Sequence, residues 1–377
     1  MIKKILSLSL AKEAIWVAIA QGIMLVGGIV LLSLVTKNVS IQTFGLYSIL
    51  LTFSSGIAQV LYGGINAATG RFYSICVTDG QVQEYYKATK NIMMWMTAIV
   101  ILISILIIFF VKYIGVIDQI TVYFLIVVFA LISAYKANLM RIQNAARLRS
   151  KVALFNFLEI ILKLLLVVVM LSYFGDSLVA LLGALIFAVA ISCLYQHVSV
   201  TNYILDLFNK SDDKGEIKII FRKMLNFATP YVPWTMMVWA YQSSARWALD
   251  IYSGVDVVGG FMVVYQLCYS PMAVGFAAIS SFLGPIIYQQ SSDMLGDSRH
   301  FRSTVKINML LGVGLFLLVV FLYASSHILH APYFALIVPN NYQSYSSYMG
   351  LVVIAGFFAG LGELFLLKFQ KDMRVIA

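Results

Sequence analysis

The chain has 377 residues, of which 61% are hydrophobic and 11% charged, with a mean hydropathy of +0.91 and a formal net charge of +10. So little polar surface cannot cover a soluble globule of this size, so lipid must solvate much of the exterior. The positive charge is spread along the sequence rather than gathered in a compact basic domain, which argues against a nucleic-acid site.

The opening, MIKKILSLSLAKEA, imitates a signal peptide, but Lys12 and Glu13 interrupt its apolar run too early. An uncleaved cytoplasmic N-terminus is expected. Runs of roughly 20 apolar residues, the length that crosses a bilayer, then recur at 14–35, 44–66, 92–111, 119–136, 153–174, 177–197, 228–250, 256–283, 304–325 and 345–367. The expected fold class is therefore all-α: a polytopic membrane helical bundle of about ten transmembrane helices. Basic residues set the orientation. With the N-terminus inside, the cytoplasmic segments collect Lys3, Lys4 and Lys12; Arg71, Lys87 and Lys90; Lys136, Arg141, Arg147, Arg149 and Lys151. They go on with Lys210, Lys214, Lys218, Arg222 and Lys223; Arg299, Arg302 and Lys306; and Lys368, Lys371 and Arg374. Only Lys37 and Lys112 fall outside, and Lys163 and Arg246 fall within helices. That bias follows the positive-inside rule and puts both termini in the cytoplasm.

In the second span Ser48, Thr52, Ser55, Gln59, Tyr62 and Asn66 follow at steps of four and three, which keeps them on one face of a regular helix. Interhelical hydrogen bonding would account for Ser and Thr; Gln59 and Asn66 favour a hydrated cavity. In the fifth span Glu159 and Lys163 are four apart, in the favourable order for a helical ion pair. They either solvate each other or form a proton or counter-ion site.

The stretch 206–225 is the longest polar one and divides the sequence into an N-terminal six-helix lobe (1–205) and a C-terminal lobe of four helices (226–377). Ser211, Asp212, Asp213 and Gly215 read as a linker, while Ile217, Ile220, Phe221, Met224 and Leu225 recur at helical spacing. Those apolar positions predict an amphipathic helix on the cytoplasmic leaflet. All six prolines follow the linker, and Pro271, in mid-span, is expected to bend or break its helix.

The seventh span, ATPYVPWTMMVWAYQSSARWALDIY, places Trp239, Gln242, Arg246 and Asp250 on one face. An arginine deep in a span costs about 2.5–3.5 kcal/mol on insertion scales, so something must favour its retention. It either neutralises Asp250 within the helix or serves as a cation for a phosphate, which a guanidinium holds by paired hydrogen bonds. Neighbouring aromatics suit stacking on sugar rings or anchoring at the interface; for Trp247 and Tyr252 the interface is expected. In the eighth span Met262, Tyr265, Tyr269 and Phe276 read as a packing stripe. Glu363 is expected at the interface, and Gly356 and Gly360 carry small-xxx-small packing spacing.

No catalytic arrangement emerges. The sequence has no GxxxxGK[ST] loop, and its Ser, His, Cys and Asp residues show no hydrolase spacing. Cys76, Cys193 and Cys268 are too scattered for a disulfide framework or CxxC site, and His197, His300, His327 and His330 form no ligand motif. An enzyme, a metal centre and a cofactor are not expected.

Several stretches resemble Wzx-type O-antigen and polysaccharide flippases, of the superfamily of multidrug, oligosaccharidyl-lipid and polysaccharide exporters. They are NVSIQTFGLYSILLTFSSGI across the first two spans, INAATGRFYS with Arg71, NFATPYVPWTMMVWAYQSSARWALDIYSGVDVVGGFMVVYQL across spans seven and eight, and LIVPNNYQSYSSYMGLVVIAGFFAGLGELFLLKFQKDMR near the end. The resemblance implies a two-lobed exporter-like fold around a cavity lined by spans one, two, seven and eight. It implies flipping of undecaprenyl-diphosphate-linked oligosaccharide, an O-antigen or capsule repeat unit, across a bacterial inner membrane by alternating access. Expected partners are that lipid-linked substrate, membrane lipids and the polysaccharide polymerase machinery, with no nucleic acid. The substrate-binding residues expected are Arg246, Asp250, Gln242, Trp239, Gln59, Asn66, Thr52, Ser55 and Arg71, with Glu159 and Lys163 for the coupling ion. Ala245 stands where many members have Asp before the arginine, and four spans follow the linker where the family usually has six. A cation-coupled multidrug exporter and a truncated non-transporting remnant are the alternatives; the first would want an acid deep in span one, and Ala14 to Val35 contains none.

Overall fold

The computed structural model describes residues 2–114, 120–208, 216–276, 332 and 334–372, all in helices and their turns, with no strand among them. The chain is an all-α, multi-pass membrane protein. Seven helices among the described residues are long and apolar enough to cross a bilayer: Ile15–Asn38, Ile41–Thr78, Val82–Ile108, Ile120–Ala145, Arg149–Phe174, Leu178–Leu207 and Val255–Phe276. They answer to the first six expected spans and the eighth. The expected ninth, 304–325, lies outside the described residues, as do His300, His327, His330, the linker residues 211–215 and the Glu363 side chain.

Two compact units divide the chain, Asn38–Val258 and Met1–Lys37 with Gly259–Ala377. The first unit holds α2 (Ile41–Gly56), a π-helical turn (Ile57–Leu61), α3 (Tyr62–Thr78), α4 (Val82–Ile114), α5 (Ile120–Ala145), α6 (Arg149–Phe174), α7 (Leu178–Phe208), α8 (Ile217–Ala228) and α9 (Tyr231–Ser253). Its core gathers Tyr62, Tyr85, Ile92, Leu139, Ile142, Ile204 and Met224, all nearly inaccessible, from α3, α4, α5, α7 and α8. α8 forms where the apolar spacing predicts it, yet its apolar stripe is used inside the protein. Ile220, Met224 and Ala228 are buried against α3 and α4, leaving the charged side of α8 outward.

Glycines set how closely α2 and α3 meet the chain from α8 onward. A Cβ on Gly45 would lie 2.2 Å from the Val255 carbonyl oxygen, one on Gly56 2.6 Å from the Trp239 ring, and one on Gly64 2.4 Å from the Ala228 carbonyl oxygen. With no hydrophobic driving force between helices in lipid, such close backbone approach supplies the van der Waals contact that holds them.

The second unit contains α1 (Ile2–Asn38) up to Lys37, most of α10 (Val255–Val264), a π-helical turn (Tyr265–Tyr269), a 3₁₀ segment (Asn340–Tyr348) and α11 (Met349–Asp372). Pro271 neither breaks nor ends its helix. The wide turn just before it closes with Ser270 N–H donating to the Tyr265 carbonyl, and helix continues through 270–276. A π turn of this kind absorbs the hydrogen bond that proline cannot donate. The small residues of α11 pack as their spacing predicts: Gly356 faces Tyr269 and Met272, and a Cβ on Gly360 would fall 1.9 Å from the Phe276 ring. Of the expected aromatic stripe, Met262 and Phe276 are buried and Tyr265 stacks on Tyr269 with centroids 4.3 Å apart.

Candidate functional site

The polar residues of the second span do not share one face. The π turn at Ile57–Leu61 inserts one residue beyond the regular repeat, which rotates everything after it by about 100°. Before the turn, Thr52 faces α9; after it, the Tyr62 hydroxyl meets the Thr97 hydroxyl of α4 at 3.2 Å. Asn138 of α5 donates through Nδ2 to Asn66 Oδ1 at 3.1 Å and to Thr69 Oγ1 at 2.9 Å. Asn66 is therefore spent on a buried interhelical bond, the role that the Ser and Thr residues of this face suggest. Ser55 is exposed and Gln59, inside the turn, is half-buried.

Thr52 is the hub of the first half. Its carbonyl accepts from Trp239 Nε1 at 2.8 Å, and its hydroxyl accepts from Trp247 Nε1 at 2.9 Å while donating to the Ile49 carbonyl at 2.6 Å. The two indoles meet edge to face with centroids 5.0 Å apart, Trp247 lies over Phe53 at 5.9 Å, and Trp239 sits on the bare Cα of Gly56. Trp247 is thus half-buried and hydrogen-bonded within the protein, whereas Tyr252 is 86% exposed. Trp239, Arg246 and Trp247 fall at i, i+7 and i+8, one helical stripe. Pinning both tryptophans therefore fixes where the arginine sits. Arg246 is half-buried and within electrostatic range of the Tyr47 phenol, which lies five residues before Thr52 on α2. Gln242 is exposed and Asp250 half-buried on the same helix.

Arg71 lies elsewhere. It is nineteen residues beyond Thr52 along α2 and α3, some 28 Å at the helical rise. There its guanidinium carbon stands 4.5 Å over the Phe227 ring of α8. Glu159 and Lys163 also form a separate centre. Glu159 pairs with Lys163 at 2.5 Å and with Lys136 of α5, and its own side chain is 5% exposed. Lys136, counted by sequence with a cytoplasmic segment, lies inside α5 with its side chain 13% exposed. Two ammonium groups thus share one carboxylate. Nearby, Gln196 Nε2 donates to Gln143 Oε1 at 2.7 Å, and the Tyr135 hydroxyl meets His197 Nδ1 at 2.7 Å.

Sequence reasoning missed Tyr47, Phe53, Gly56, Trp247, Lys136 and Asn138. The i, i+8 spacing of the two tryptophans was a usable signal for Trp247; nothing in the local sequence marks Gly56 or Asn138.

The described residues form the helical bundle of a multi-pass membrane protein, and comparisons with known proteins bear on its fold. Among solved structures the chain is similar to one named only as protein A (TM-score 0.64, 13% identity, covering 93% of this chain and 80% of that one). It is also similar to a mutant form of the Vibrio cholerae MATE transporter VcmN (TM-score 0.57, 14% identity, 93% and 81%). A third is the eukaryotic MATE transporter AtDTX14 (TM-score 0.53, 12% identity, 93% and 81%). At such identities the likeness is one of fold. No curated protein matches the sequence. Residues 10–290 match the family described as "Polysaccharide biosynthesis protein", and the chain belongs to that family.

Proposed function

We propose that this protein flips an undecaprenyl-diphosphate-linked oligosaccharide, an O-antigen or capsule repeat unit, across a bacterial inner membrane by alternating access. The observation that carries the reading is Arg246: a half-buried arginine on α9, the helix that two tryptophans hydrogen-bonded to Thr52 fasten to α2. A planar cation retained at such a position suits paired hydrogen bonds to a diphosphate. Membership of a polysaccharide biosynthesis family supports a saccharide-bearing cargo. In this reading Gln59, Ser55, Gln242 and Asp250 line the path with the exposed edges of Trp239, and Thr52 acts as anchor. Asn66 and Arg71, committed to Asn138 and Phe227, stand apart from it. Glu159 and Lys163, joined by Lys136, are the candidates for coupling to a cation. In this reading both ends of the chain face the cytoplasm, in line with the distribution of basic residues.

In a strain lacking its native flippase, the Arg246→Ala variant should leave lipid-linked repeat units on the cytoplasmic side, measured by lipid extraction and sugar labelling. Full surface polysaccharide in that strain would remove Arg246 from the site. The likeness to MATE transporters favours one second reading, export of drugs. A raised resistance profile in an expressing strain, without complementation of polysaccharide display, would select it.

A further inference from the structure

α8 is amphipathic, but nothing apolar enough to insert in a bilayer is left on it once Ile220, Met224 and Ala228 are buried against α3 and α4. Ile217, Phe221, Leu225 and Phe227 are also packed on that core, so of the large apolar residues only Ile219 is exposed. What α8 presents outward is charge: Lys218, Arg222 and Lys223. The helix beneath it defines the level. On α4, Trp95 is 67% exposed and is followed by exposed Ile99, Leu102 and Leu106, the pattern of an interfacial tryptophan opening a lipid-facing surface. Exposed Lys90 and Lys87 precede Trp95 by five and eight residues, about 7.5 and 12 Å towards water at the helical rise. That is headgroup depth. α8 packs across this same stretch, where Thr89 meets the Met224 sulfur. Lys223 reaches the turn between α3 and α4, within electrostatic range of Cys76 together with Asp79 and Glu84. Glu84 is buried, so Asp79 and Glu216 are the acids exposed among these five lysines and arginines.

We propose that the outward face of α8, with Lys87 and Lys90 of α4, binds anionic phospholipid headgroups. Since the apolar side of α8 is already covered by protein, this contact is electrostatic rather than insertional. It is therefore set by headgroup charge and by ionic strength. A helix that inserts an apolar face would bind neutral lipid as well.

The test uses the full-length protein, purified in a neutral detergent and titrated with phosphatidylglycerol or phosphatidylcholine while its thermal unfolding is followed. Phosphatidylglycerol should raise the melting temperature and phosphatidylcholine should not. The effect should largely vanish at 1 M salt, where the screening length is about 3 Å. Changing Lys218, Arg222 and Lys223 together to Gln should raise the half-saturating phosphatidylglycerol concentration at least tenfold at low salt, given about one order of magnitude or less per basic residue near an anionic surface. Arg141, Arg147 and Lys151 changed to Gln remove the same charge from another turn of the same unit, and should leave the titration within about twofold. Equal stabilisation by both lipids, insensitivity to salt, or equal weakening by the two triple variants would each overturn the proposal. So would an equal shift on adding soluble polyglutamate, which would mark the face as a dock for an acidic protein. If the α8 variant does not fold, the lipid and salt arms on the unaltered protein still decide.

Discussion

The two halves of the second span use polar residues in opposite ways. Beyond the π turn, Tyr62, Asn66 and Thr69 are buried, Tyr62 meeting the Thr97 hydroxyl and Asn66 and Thr69 both accepting from Asn138; the Lys136, Glu159 and Lys163 centre is likewise buried and paired within the protein. Before the turn, Thr52 serves two indole N–H groups that come from α9, and these fasten to α2 the helix that carries half-buried Arg246. In the first region polarity is consumed by the protein; in the second it positions a charge. Membrane burial alone therefore does not mark a residue as functional. What matters is what its hydrogen bonds hold in place.

The sharpest break of that comparison is at the buried ion centre. Glu159→Ala leaves two ammonium groups without their carboxylate and should lower stability by about 3–5 kcal/mol, read as a large fall in melting temperature. The combination Lys136→Met, Glu159→Leu and Lys163→Met removes every charge at similar volume and should be neutral or stabilising. If that triple variant also keeps transport, the centre is structural and leaves the list of coupling candidates. Next in size is Gly56. Gly56→Leu places side-chain atoms where the Trp239 ring lies, 2.6 Å from the position of the first added carbon. Overpacking of this kind costs about 1–3 kcal/mol. Here it should also shift the tryptophan emission, because Trp239 must leave Thr52. An unchanged emission spectrum would show that α9 can retreat from α2 without disturbing the pin.

Much of this is readable before any coordinates. Spans one to six and eight are visible as apolar runs because crossing a bilayer demands length and hydrophobicity in consecutive residues, a one-dimensional property. The α8 pattern is likewise local. The side of α8 that is covered is not, since Ile220 and Met224 carry the same spacing whether they meet lipid or Tyr85 and Ile92. The polar face of the second span fails for a definite reason. Its steps assume 3.6 residues per turn throughout, and one π turn at 57–61 invalidates the phase beyond it. Lys136 reads as a loop residue because a charge near the end of an apolar run looks like a boundary. Its partner sits on another helix, and only tertiary packing reveals it. The Arg246 stripe is legible, its support by Trp247 only in part.

Two smaller effects sharpen the comparison from both sides. Asn138→Leu removes the donor shared by Asn66 and Thr69 and should cost about 0.6–1.7 kcal/mol, the range for polar contacts between membrane helices, with transport retained by whatever molecules fold. Trp247→Phe keeps the ring against Phe53 and Trp239 but deletes the N–H that reaches the Thr52 hydroxyl. The loss in stability should be smaller, about 0.5–1 kcal/mol, because the Thr52 hydroxyl still donates to the Ile49 carbonyl and is not stranded. Its effect on transport should nevertheless exceed that of Asn138→Leu, since Arg246 precedes Trp247 directly and loses one of the two pins that set its position. The decisive quantity is the ratio of transport lost to stability lost in each variant. If Asn138→Leu shows the larger ratio, polarity beyond the turn is functional after all, and the division drawn at Ile57–Leu61 falls.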